Sequence, residues 1–182
     1  MLENILLFLE KNDKVIGVLH ILYAIFMSCY GLIFKKNSFD YIYIFLTVFI
    51  VITWTFHNGE CLLTYLIKKN KDKNYIAGTE STDITDMYLL FGSKDIVYFI
   101  VTVSLFINAI SLYLVLKRNN FPYFIYYPLP LFQLLYAISL RIEHKNLHKN
   151  KLFLISQNFF KIYFIINIIS ILYISYKNES FK

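Results

Sequence analysis

Among the side chains able to do chemistry, His20, His57, Glu60 and Cys61 stand inside long apolar stretches of the chain. Thr53, His57, Glu60 and Thr64 recur at i, i+4, i+7 and i+11, one stripe of a continuous helix, with Trp54, Asn58 and Cys61 beside it. Gly17, His20, Ala24, Ser28 and Gly31 form a second stripe of mostly small residues, a pattern that lets helices approach closely. Glu60 is the most informative of these residues, because an ionisable group in an apolar segment is costly and turns inward to a partner. At a rise of ~1.5 Å per residue, His20 lies about 9 Å past Lys14 and Glu60 about 12 Å before Lys68, so the two are expected at similar depth on antiparallel helices. His57 lies one turn deeper, roughly 16 Å from Lys68. A cluster of His20, Glu60 and His57, flanked by Cys61 and Thr64, could relay protons, bind a small ligand or cation, or hold two helices together.

Named chemistries find less support. A bis-histidine haem would have His20 and His57 as its ligands, offset by about 7 Å along the helices. Cys29 and Cys61 lack C-x-x-C spacing and sit about 22 Å and about 10 Å from the same face, too far apart for a dithiol centre. His144 and His148 share a helical face next to Glu143, but zinc needs a third ligand that the neighbouring sequence does not supply, and a solvated loop accounts for them. Glu80, Asp83 and Asp86 could bind a cation or complement the dipole at the start of a surface helix. No Ser/His/Asp spacing, phosphate-binding glycine loop or selectivity-filter signature is present, so no catalytic residue, metal site or defined cofactor is assigned.

The elements that must position these residues are membrane helices. Of 182 residues, 58% are hydrophobic and 16% charged, against ~25% charged in soluble domains, so an all-α integral membrane bundle is expected. Five uncharged runs approach the ~20 residues that a bilayer core requires, giving spans at 15–34, 41–67, 96–116, 121–140 and 159–176 in a single membrane domain. Glu60 interrupts the second, Pro122, Pro128 and Pro130 kink the fourth or delay its start, and Lys161 snorkels near the start of the fifth. Four spans is the alternative. Ile84, Met87, Tyr88 and Phe91 recur at i, i+3, i+4 and i+7, with Ser81 or Thr82 as N-cap and Gly92 as a stop. They predict a short amphipathic helix over 82–91 on the cytoplasmic membrane face, and Leu2, Ile5, Leu6 and Leu9 repeat the spacing.

The net charge is +6, and the loops on the N-terminal side carry eleven Lys and Arg against six on the other side, which places the N-terminus in the cytoplasm and the C-terminus opposite. Tyr30, Phe34, Tyr41, Tyr43, Tyr113, Tyr123, Tyr126, Tyr127, Tyr173 and Tyr176 are expected in an outer aromatic belt. Basic residues in short clusters between uncharged runs argue for the bilayer as partner and against nucleic acid, with a homo-oligomer or other membrane proteins left open. Glu3 and Glu10 flank the short apolar segment at the N-terminus, which argues against a cleaved signal peptide.

Leu19-His20, then Gly31, Trp54, Gly59-Glu60-Cys61-Leu62-Leu63-Thr64, Gly78 and Asp86-Met87-Tyr88-Leu89 carry a resemblance over the first half of the chain. The pattern resembles a widespread family of small uncharacterised bacterial multi-pass membrane proteins. That family has a Leu-His in its first span and a Trp before a Cys-Pro-Leu-Thr motif in its second; Leu62 stands where it has Pro. The resemblance implies a shared fold and marks His20, Trp54, Cys61 and Thr64, without an activity to transfer. The excess of Ile, Lys, Asn, Tyr and Phe also resembles membrane proteins of large DNA viruses. The expected role is non-enzymatic, with a His/Glu cluster that is structural or binds a small ligand or ion. A proton- or ion-conducting protein is the alternative, and a haem-linked membrane redox protein the third.

Overall fold

The computed structural model describes residues 13–58, 60–79, 87, 90–126, 128, 130, 131, 134 and 151–179. Among them the regular elements are all helical: α1 (Asp13–Ile33), α2 (Phe39–Phe56), α3 (Leu62–Lys71), α4 (Lys94–Arg118), the single turn α5 (Tyr123–Tyr126) and α6 (Lys151–Glu179). Lys14–Ile33, Phe39–Phe56 and Asp95–Arg118 are long and apolar enough to cross a membrane. The expected fifth span lies within α6, whose apolar part runs Asn158–Ile174. Half of the expected fourth span lies outside the described residues, as do the N-terminal segment, Glu80, Asp83, Asp86, His144 and His148. So does most of the expected 82–91 helix; of it Met87, Leu90 and Phe91 are described and helical, and Gly92 follows at φ +68.

The distribution of side chains is compatible with an apolar surrounding. Leu22, Ile25, Phe26, Phe99, Phe106 and Ile166 are among the large hydrophobic groups on the outside, whereas Ser28, Asp40, Thr47, Asn108, Ser111 and Asn167 are buried. Water would penalise so large an apolar exterior, while hydrocarbon favours it and drives polar groups inward. Helices suit that environment because every backbone group is satisfied within its own segment. The hydroxyls of Thr47, Thr53 and Thr55 follow the same rule, each donating to a carbonyl three or four residues back in α2.

Helix α1 packs along α4, α2 packs along α6, and contacts of α2 with α4 join the two pairs. Tyr43, Ile44, Val48, Leu112, Leu116 and Phe164 form the centre of the core. The closest approach is at Gly31, whose N–H donates to Ser111 Oγ at 2.7 Å and where an added Cβ would sit 2.2 Å from the Ser111 carbonyl oxygen. Ser28 Oγ donates to the Ser104 carbonyl at 2.9 Å on the same seam, so the small-residue stripe on α1 is a packing surface for α4. At its far end α4 closes with Asn120 in the left-handed region (φ 56), Asn120 N–H on Lys117 O and Phe121 N–H on Leu116 O. That is a Schellman cap with asparagine in the usual glycine position, and it turns Phe121 and Ile125 into the core.

Two expectations need correction. The second run is not one helix over 41–67: α2 ends at Phe56, Asn58 takes a left-handed φ of 53, Cys61 is extended, and α3 starts afresh at Leu62. Asn58-Gly59 is a turn dipeptide, and its preference for positive φ outweighs the apolar periodicity on either side. Tyr30 and Tyr43 do not join an aromatic belt; both are buried and stacked on each other at 4.5 Å between centroids. Phe34, Tyr123, Tyr173 and Tyr176 are exposed.

Candidate functional site

The chain between α2 and Thr79 builds a compact turn around Glu60. After Phe56, the backbone N–H of His57 still reaches Thr53 O, and the N–H of Glu60 then reaches His57 O at 3.0 Å. Helix α3 carries the chain away, an Asx turn at Asp72 (Asn74 N–H to Asp72 Oδ1, 2.8 Å) reverses it, and Tyr75 to Thr79 return to Glu60. Asn58 Nδ2 donates to Ala77 O at 3.0 Å, which ties the two ends of the turn together. Gly78 closes it at φ +89, with an imaginary Cβ only 2.6 Å from Asn58 Cβ, so both conformation and space require glycine.

Glu60 is buried, and its carboxylate has three kinds of donor. Lys68 Nζ lies 3.1 Å from Oε1, the Tyr75 hydroxyl lies 2.9 Å and 3.1 Å from the two oxygens, and the Gly78 N–H lies 3.2 Å from Oε2. Lys68 also stands 5.3 Å over the Tyr75 ring, and Lys69 Nζ donates to the Tyr75 carbonyl at 3.0 Å. Burial alone would push the Lys68 ammonium down, but the hydrogen bond and charge of Glu60 outweigh it and raise the group above the ordinary lysine range. Tyr75 is raised as well, first by burial and then by the carboxylate beside it.

The expected partnership of His20 with Glu60 is therefore replaced. His20 Nε2 lies 3.4 Å from Cys61 Sγ, one residue further along the turn. The chain breaks after Phe56, and Glu60 meets Lys68 of α3, Tyr75 and Gly78. His57 is engaged separately, donating from Nδ1 to the Thr53 carbonyl at 2.6 Å with its ring 4.7 Å from that of Tyr65. Thr64 lies in the first turn of α3 and supplies a backbone N–H near the Cys61 thiol. The stripe of Thr53, His57, Glu60 and Thr64 is thus split between two helices and the turn joining them. Among the described residues no group of three or more His, Cys, Asp or Glu side chains could hold a metal ion.

A second polar cluster, at the other end of the bundle, is absent from the sequence reading. Arg118, at the end of α4, forks onto Asp40, at the start of α2: Nε donates to Oδ2 at 2.8 Å and Nη2 to Oδ1. Asp40 also accepts from Asn119 Nδ2 at 2.6 Å and from the Tyr30 hydroxyl at 2.9 Å, while Arg118 reaches the Phe34 carbonyl. The Asp40 side chain is fully buried and that of Arg118 is 19% exposed. Both residues border the uncharged runs and read as loop charges. Their shared end of the bundle and similar depth were the signal that could have paired them. Between the two clusters, the Tyr43 hydroxyl donates to the Met27 carbonyl or Ser111 Oγ, both at 2.9 Å, and Asn108 Nδ2 donates to Met27 O at 2.7 Å.

No protein-family model matches this chain, and no curated protein or solved structure does so either.

Proposed function

We propose that the protein is a small multi-pass membrane protein of non-enzymatic role, inserted with its N-terminus in the cytoplasm, in which the Glu60 cluster shapes an interfacial turn. The observation that carries this reading is the engagement of the Glu60 carboxylate by Lys68, Tyr75 and Gly78. A proton carrier needs a carboxylate that exchanges its proton with successive partners; a carboxylate with an ammonium, a hydroxyl and an amide fixed around it is a structural anchor. The surface left to do the work is the apolar exterior, which the bilayer covers and on which a second copy or another membrane protein can pack.

The test is reconstitution into liposomes with an imposed potential and a pH-sensitive dye. The anchor reading expects the same background proton leak for wild type and Glu60→Gln. A flux well above that of empty liposomes, abolished in Glu60→Gln and retained in Ile110→Val on the exposed face of α4, would establish the conducting alternative instead. The same preparation reports on the redox reading, which requires a Soret band that is lost in His20→Ala or His57→Ala.

A further inference from the structure

Cys61 combines three features that the anchoring role of Glu60 does not use. It is the N-cap residue of the ten-residue helix α3, in extended conformation at φ −64 and ψ 137. Its thiol makes no capping hydrogen bond of ordinary geometry, yet the opening N–H groups of Thr64 and Leu63 are near enough to favour negative charge on sulfur. The third feature is the His20 imidazole, with Nε2 3.4 Å from Sγ, on a different helix and 41 residues away in sequence. Burial pushes the thiol up, but the hydrogen bond and charge of His20, with the two backbone N–H groups, bring it below its ordinary range. The side chain is half-buried, so a reagent can reach it.

The chemistry open to such a pair is limited by what surrounds it. Cys29, the other cysteine, lies nine residues beyond His20 on α1, about 13 Å along the helix axis, too far for a disulfide with Cys61. One thiol and one base suffice for group transfer. Leu19, beside His20 in sequence, is 48% exposed, and Phe56, at the end of α2, is 48% exposed with the Lys161 ammonium 5.4 Å from its ring centroid, so an apolar surface bordered by a cation lies on the outside. An acyl chain therefore has somewhere to lie while its carbonyl meets Sγ at the membrane boundary.

We propose that Cys61, with His20 as its proton partner, is a site of S-acylation that takes a long-chain acyl group from an acyl thioester. His20 accepts the proton of the Cys61 thiol, and the thiolate attacks the thioester carbonyl. A new Sγ–C bond forms, the donor's C–S bond breaks, and its electron pair leaves on the donor sulfur. The imidazolium returns the proton to that sulfur, releasing a free donor thiol without any oxidation or reduction. The protein is the recipient of the group, which would fasten the interfacial turn to the bilayer.

Purified protein in detergent micelles is incubated with palmitoyl-coenzyme A at neutral pH, then examined by intact mass and peptide mapping. The expected product carries one hydroxylamine-sensitive palmitoyl group on Cys61, is absent in Cys61→Ser and is unchanged in Cys29→Ser. His20→Asn should slow its formation by about a hundredfold, the lower end of what a positioned base contributes. A second measurement needs no variant: iodoacetamide alkylation of Cys61 in the wild-type protein, mapped by peptide, should reach half its maximal rate below the ~8.5 of a free thiol. No acylation, equal acylation of Cys29, a His20→Asn rate equal to wild type, or a Cys61 alkylation profile centred on the ordinary thiol range would each overturn the proposal.

Discussion

Replacing Asp40 with alanine should be among the most damaging single substitutions in the bundle. The carboxylate accepts both arms of the Arg118 fork, the Asn119 amide and the Tyr30 hydroxyl, so its removal strands a guanidinium and leaves Asn119 with the Val115 carbonyl and Tyr30 with Asn37 Oδ1. Removing one partner of a buried ion pair costs about 3–5 kcal/mol. Arg118 keeps the Phe34 carbonyl and is 19% exposed, so a cost shifted below that range, roughly 2–4 kcal/mol, is the expectation for Asp40→Ala. Asp40→Asn retains one acceptor and the shape of the site and should cost about 1.5–3 kcal/mol, the worth of a hydrogen bond to a charged group. Arg118→Lys replaces a rigid fork with a single ammonium and should fall below both. Unfolding in mixed micelles with increasing SDS measures each value, and the Asp40/Arg118 double-mutant cycle should give a coupling of roughly 1–3 kcal/mol. An Asp40→Ala protein within about 0.5 kcal/mol of wild type, or a coupling near zero, would refute the assignment of this pair as a clamp.

Gly31→Ala must separate α1 from α4 at the Ser111 carbonyl and should cost about 1–3 kcal/mol by the same SDS titration. Glu60→Gln should be less destabilising than Glu60→Leu, because the amide still accepts from Tyr75 and Gly78 whereas leucine leaves those donors and Lys68 facing an apolar group. Lys68 is raised in the folded protein, so its contribution is complete below the ordinary lysine range and is lost as pH climbs through its folded value. Thermal stability should accordingly be level near neutrality and step down in strong alkali, and Lys68→Met should remove that step. Cysteines introduced near Lys71 and near Lys36 in a Cys29/Cys61-free background should be labelled by impermeant maleimide from opposite sides of the membrane; same-side labelling would contradict the five-span topology.

The long elements were readable because their signal is cumulative. Val15 to Phe34 and Ile96 to Leu116 are uncharged runs whose length alone argues for crossing helices, and α1 and α4 follow them closely. The site was less readable because one local event changed it. Asn58-Gly59 lies in the middle of a run that otherwise supports a helix, and a left-handed asparagine there redirects every side chain that follows. His20 accordingly meets Cys61, the residue after Glu60. Tyr75 and Gly78 were unrecoverable as Glu60 partners for the same reason: their approach depends on a chain reversal at Asp72, which leaves no periodic trace. Asp40 and Arg118 were hidden by position, since charges at the borders of apolar runs were assigned to loops.

The two ion pairs also differ in when they can form. All three groups that surround Glu60 follow within 18 residues, so the carboxylate is neutralised almost as soon as that stretch leaves the ribosome. Asp40 must wait for Arg118, 78 residues later, which at ~5–20 residues per second is roughly 4–16 s of synthesis. During that interval the α1–α2 hairpin holds an acid with Tyr30 and Asn37 nearby but no cation from α4. A nascent chain halted before α4 should therefore be a poorly integrated hairpin, vulnerable to quality-control proteases. Arrival of Arg118 would then mark the step at which membrane assembly becomes committed.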